Sequence, residues 1–152
     1  MNETTESILH FLGVQGTLVS ALVHFWMGVP LLVVYLPLWE FSDPRGYLFV
    51  PSALLLFVVL AGLYFDRAVR PLLALGILIL LGYVTGYVWW HLGDHGGTVP
   101  GGHTHQSPFS LVVEHFVDDP VAFVSIVVEL VGAGAFAGLL VGGYGPDEHS
   151  AE

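Results

Sequence analysis

The sequence contains no cysteine. Disulfides, thiolate zinc sites, iron–sulfur ligation and haem attached through thiols are therefore excluded. Lysine is also absent, so three arginines, Arg45, Arg67 and Arg70, carry all the permanent side-chain positive charge. Against them stand 13 carboxylates, and the formal net charge is −10. Such a chain has no means of neutralising phosphates, which excludes nucleic acid as a partner. It equally lacks a polybasic patch for anionic lipid. Acidic, lysine-free loops suit a halophilic setting, where charge is screened within about 3 Å at 1 M salt. Charged residues amount to only 11%, against roughly 25% in soluble domains. The sequence also has no Gly-x-Ser-x-Gly elbow, no Walker or dinucleotide glycine pattern and no His-Glu-x-x-His. Familiar serine-hydrolase, nucleotide-driven and metalloprotease readings have no support.

What the sequence has in abundance is apolar surface. Over its 152 residues 55% are hydrophobic, and the mean hydropathy is +0.76. Disorder needs the opposite balance, and an ordinary water-soluble core would not use this much. Four long apolar runs lie within residues 9–39, 47–65, 71–90 and 121–144. About 20 helical residues cross roughly 30 Å of hydrocarbon. Period-two alternation is missing, so strands of a membrane barrel are disfavoured. Within lipid a helix is the economical way to pair the backbone. The expected fold is all-α, an integral membrane four-helix bundle whose lipid bilayer is its first partner. Spans are placed at roughly 13–36, 47–65, 71–90 and 121–144, in a single transmembrane domain over 1–145 with an acidic tail at 146–152.

The first run is too long for one straight span, since 31 helical residues extend about 46 Å. Pro30 and Pro37 are expected to kink or end it, and Ser7 to cap a helix beginning near Ile8. The acidic start, Met1-Asn2-Glu3-Thr4-Thr5-Glu6-Ser7, lacks the positive region of a cleaved signal, so this run is expected to stay in the mature chain. Arg67 and Arg70 in one short loop outweigh Arg45 in another. The positive-inside rule then places both termini in the cytoplasm of a multi-pass cell-membrane protein. The loop 91–119 and the segment Asp43-Pro44-Arg45-Gly46 face outward, with Trp39, Tyr47, Trp89 and Trp90 at that boundary. Asp66, Arg67 and Arg70 at the cytoplasmic turn are read as a topology anchor with a local ion pair.

Chemistry concentrates in two places. The loop 91–119 holds five of the eight histidines, with four carboxylates. If the third helix continues past Trp90, His91 and His95 stand at i and i+4, with Asp94 beside them. His103, His105 and His115 complete a candidate ligand set. Imidazoles with carboxylates suit a transition-metal ion such as zinc, copper or iron; calcium or magnesium would want more oxygen. A solvated polar loop is the alternative. The second place is inside the spans, where His24 and Glu129 lie near mid-depth. An ionised side chain there costs about 2.5–3.5 kcal/mol on insertion scales, so a mutual pair is expected, with Ser20 and Ser125 one turn away. It reads as a proton or cation relay, or as a structural clasp. Only His24 is deep in a span, so an intramembrane b-type haem held by two histidines is disfavoured. Tyr83, Thr85 and Tyr87 are read as packing residues.

Glycines spaced by four, Gly134, Gly138 and Gly142 in the fourth run and Gly82 and Gly86 in the third, allow close helix contact. They pack the bundle internally or join it to a second copy or a larger membrane complex. The leading function from sequence is a small membrane protein that binds or passes a transition-metal cation through its outer loop. A non-catalytic accessory subunit and a metal-dependent membrane enzyme are the alternatives.

Overall fold

The computed structural model describes residues 1–41, 43–92, 110, 113 and 116–144. Among these no strand forms, and four helices are long and apolar enough to cross a membrane. We label them α1 (Glu3–Tyr35), α2 (Arg45–Tyr64), α3 (Val69–Leu92) and α4 (Pro120–Val141). α1 packs chiefly against α2 and α4, and α3 chiefly against α4. The chain runs up and down, because only short turns join α1 to α2 and α2 to α3. One end of the bundle therefore carries the end of α1, the start of α2, the end of α3 and the start of α4; we call it the loop end. The other end carries Met1, whose side chain lies against Gly142, and the ring of Tyr144 lies 5.6 Å from that of His10.

Why α1 is so long follows from its caps. The expected start at Ser7 is corrected: the helix begins at Glu3, capped by Asn2, whose Oδ1 accepts from Thr5 N at 2.8 Å. Glu3 and Glu6 in the first turn favour the positive end of the helix dipole. Pro30 does not end the helix, which continues to Tyr35; Pro37 falls in a 3-10 turn, Leu36–Leu38, that does. Trp39 then takes a left-handed φ of 50° and reverses the chain.

The reversal is locked by Asp43 and Arg45. Asp43 Oδ1 accepts from Arg45 N at 3.0 Å and Nε at 2.9 Å, and Oδ2 accepts from Nη2 at 2.6 Å. The Arg45 guanidinium lies 4.9 Å from the centre of the Trp90 ring, tying this loop to the end of α3. Its hydrogen bonds hold the Asp43 carboxyl below the usual carboxylate range, against the opposing effect of burial. The expected Asp66–Arg67 pair does not form. The turn there runs through left-handed residues at Asp66 and Ala68, with Arg67 N donating to Gly62 O, so backbone geometry and not charge closes it.

The interior is small and apolar, built around Phe136, Leu56, Leu73, Leu80 and Leu139, all fully buried. The outside is apolar too: Trp26 is 70% exposed, and Leu78, Val33 and Val141 are likewise uncovered. A water-soluble protein hides such residues, whereas lipid tails accept them.

A buried polar cluster between α1, α3 and α4

Four helices bring polar side chains to one level. With about 1.5 Å of rise per residue, His24 lies about 16 Å before the end of α1. On the same measure Glu129 and Tyr83 lie about 14 Å, and Ser52 about 10 Å, from the loop-end termini of α4, α3 and α2. Glu129 is 1% exposed and His24 7%. The close approach that joins them is made by Gly16. A Cβ there would fall 2.6 Å from Val128 O and 3.1 Å from Gly132 Cα. Only glycine lets the α1 backbone lie this near α4, and one turn further on Ser20 reaches across.

Glu129 Oε1 is the hub. It accepts from Ser125 Oγ at 2.7 Å and from Ser20 Oγ at 3.2 Å, and His24 Nδ1 lies 3.6 Å away. That last distance is too long for a hydrogen bond. His24 Nδ1–H instead donates to the backbone carbonyl of Ser20 at 3.0 Å, with Ser20 Oγ at 3.4 Å. The carbonyl thereby fixes the tautomer and leaves Nε2 as the basic nitrogen. Two hydroxyls thus donate to one carboxyl oxygen, and Oε2 takes none of the hydrogen bonds among the described residues.

Two aromatic rings frame His24. Tyr83 stacks flat on it, with centroids 3.5 Å apart and planes 3° from parallel, and Phe49 meets it edge-on at 4.6 Å. The Tyr83 hydroxyl pairs with Ser52 Oγ at 2.7 Å, and Ser52 Oγ is within 2.5 Å of Leu48 O. Reading Tyr83 as packing alone misses this role. Aromatic residues in an apolar run carry no mark of their neighbours, and only the i, i+4 spacing of Tyr83, Tyr87 and His91 was visible. Tyr87 follows one turn along α3, and its buried hydroxyl has no partner among the described residues; nor has that of Thr17, on the other side of the cluster. His91 Nδ1 lies 2.8 Å from Tyr87 O, and the two rings are 4.1 Å apart.

Of the candidate metal ligands, only His91 is within the described residues, at the end of α3. Asp94, His95, His103, His105 and His115 lie outside them. Among the described residues no group of three histidine or carboxylate side chains is placed to hold a metal ion. Of the glycine face on α4, Gly138 faces Leu9 and Gly142 faces Met1 within the chain, while Gly134, like Gly82 and Gly86, faces open space. At the far end an open cleft of about 340 Å³ is lined by Glu6, Ser7, His10, Phe11, Val14 and Tyr144. Burial, with Asp66 and Glu6 nearby, pushes the Tyr144 phenol up.

Compared with known proteins, the chain matches no protein-family model, no curated protein and no solved structure.

Proposed function

We propose that the chain is a small multi-pass integral membrane protein that loads a proton on the His24–Glu129 pair near the middle of the bilayer. The observation that supports this most is the meeting of two ionisable side chains from different helices, bridged by Ser20 and with Ser125 on the same carboxyl oxygen, inside an otherwise apolar bundle. A charge at that depth is expensive unless it is paired or neutralised. The site answers with hydroxyl donors and a neutral-tautomer histidine, and with no fixed cation. A single exchangeable proton then satisfies both residues, held on Glu129 Oε2 or on His24 Nε2. On the arginine count the loop end faces outward.

A transition-metal cation is the second reading, favoured by the histidines of residues 91–119. The bond from His91 Nδ1–H to Tyr87 O fixes the tautomer that ligates through Nε2. In that reading His91, Asp94, His95, His103, His105 and His115 collect the ion, and His24 and Glu129 form a waypoint below. An accessory subunit would instead use the open faces at Gly82, Gly86 and Gly134, and would co-purify with a stoichiometric partner.

Infrared titration of the purified protein in lipid nanodiscs tests the leading reading. A protonated-carboxyl band that appears and disappears with pH, and is missing in Glu129→Gln, is the expected result. No difference between the two proteins over the pH range in which the bundle survives would reject it.

A further inference from the structure

The polar groups are not symmetric about the buried pair. Toward the loop end, α3 presents Tyr83, Tyr87 and His91 on one face at successive turns. Tyr83 lies against His24; the Tyr87 ring lies against His91. At that end too stand Asp119, which caps α4 through Val121 N and Ala122 N, and the Asp43–Arg45 pair under Trp90. Between these groups and the pair, the buried Tyr87 hydroxyl has no protein partner among the described residues. A buried hydroxyl without a partner is where an ordered water belongs.

Toward the other end the chemistry stops. Thr17 is the last polar side chain of the cluster, and beyond it lies Phe136, 0% exposed. Its ring fills the space left by two glycines: a Cβ on Gly13 would meet its ring carbons, and one on Gly76 would fall 2.8 Å from its Cε2. Leu73 and Leu139, also fully buried, belong to the same apolar core cluster as Phe136. The cleft lined by Glu6, His10 and Tyr144 lies beyond it, with no described polar side chain bridging Phe136.

We infer that the His24–Glu129 pair exchanges its proton with the loop end alone, through Tyr87 and His91, and that Phe136 seals it from the opposite end. Tyr87 and His91 are positioning residues for that exchange: the phenol holds the water through which the proton moves, and the imidazole accepts or delivers it at the mouth. The net step is the transfer of one proton between bulk water and Glu129 Oε2 or His24 Nε2, with no other bond made or broken. The groups that face the pair are Ser20 from α1, Tyr83 from α3 and Ser125 from α4, with Phe49 of α2 edge-on to His24 and Ser52 of α2 reached through Tyr83.

This inference rests on the proton-loading reading, and one experiment separates the two. The rate at which the Glu129 carboxyl band shifts after transfer to D2O is followed in nanodiscs for the full chain, Tyr87→Phe, His91→Gln, Phe136→Ala and the Tyr87→Phe/Phe136→Ala double variant. Tyr87→Phe removes only a hydroxyl without a partner among the described residues, so the fold tolerates it. We expect Tyr87→Phe to slow exchange at least tenfold and His91→Gln severalfold. Phe136→Ala should open the sealed end, so the double variant regains a fast rate. Exchange as fast in Tyr87→Phe and His91→Gln as in the parent would overturn the one-sided route while leaving proton loading in place. A slow double variant would overturn the seal. Absence of any Glu129 band in the parent would remove the loading itself, and the route with it.

Discussion

At the level of single residues, two acidic groups, Glu129 and Asp43, behave oppositely. Glu129 has hydroxyl donors and a histidine but no permanent cation, and it lies in the apolar middle of the bundle. Asp43 sits beside a guanidinium at the loop end, which keeps it ionised. Because its folded pKa is depressed, the stabilisation from Asp43 is complete above its unfolded value, about 3.9. It is lost as pH falls through the lower folded value. Hydrogen bonds to charged groups contribute about 1.5–3 kcal/mol. Arg45 is 38% exposed at its side chain, and solvent screening brings the expected contribution to about 1 kcal/mol. Asp43→Asn should therefore be less stable than the parent at neutral pH by about that amount, with the gap closing below about pH 4. Denaturation in detergent at both pH values checks this; a gap that persists in acid would mean that lost packing, not lost charge, is responsible.

At the level of helices, stability turns on where backbones touch. Gly16 allows α1 to meet α4, and Gly46 allows α2 to meet α1: a Cβ on Gly46 would fall 2.7 Å from Leu32 N. In both cases the obstacle is backbone, which cannot rotate away. Gly16→Val should force α1 from α4, cost about 1–3 kcal/mol as overpacking does, and lengthen the Ser20–Glu129 bond. The expected outcome is lower unfolding resistance together with a shifted Glu129 carboxyl band. The same substitution at Gly134, which faces open space, should leave both unchanged. Loss of stability at Gly134 but not at Gly16 would contradict the packing described. The evenly spaced glycines of α4 were the conspicuous ones in the sequence, yet the α1 glycine set closest against the α4 backbone is Gly16, which has no glycine four residues away. A small residue shows that a helix can come close, not which helix does.

For the molecule as a whole, the open question is what reaches the loop end. The metal reading predicts that purified protein retains a transition metal near one equivalent, and that His91→Ala and His95→Ala together lower its affinity by about 10–100-fold, as loss of ligands or their supports does. Metal analysis and competition with a chelator check this. Background metal content in the parent, unchanged by the substitutions, would reject the metal reading.

Four helices with their approximate limits were legible from composition and length alone, because apolar runs of span length with no period-two alternation have one economical backbone solution. Depth was legible too: rise per residue is constant, so His24 and Glu129 could be assigned to the same level before any packing was known. Cost of burial suggested the His24–Glu129 pair, but the sequence could not say which further side chains touch across helices, because rotation about each helix axis and the choice of neighbour depend on contacts distant in the chain. Those contacts placed Tyr83 flat on His24, directed Ser20 and Ser125 to the same carboxyl oxygen, and set Phe136 between Gly13 and Gly76. Local composition determined that this chain folds as apolar helices with a few costly polar groups. Tertiary packing decided through which atoms those groups meet, and what lies on either side of them.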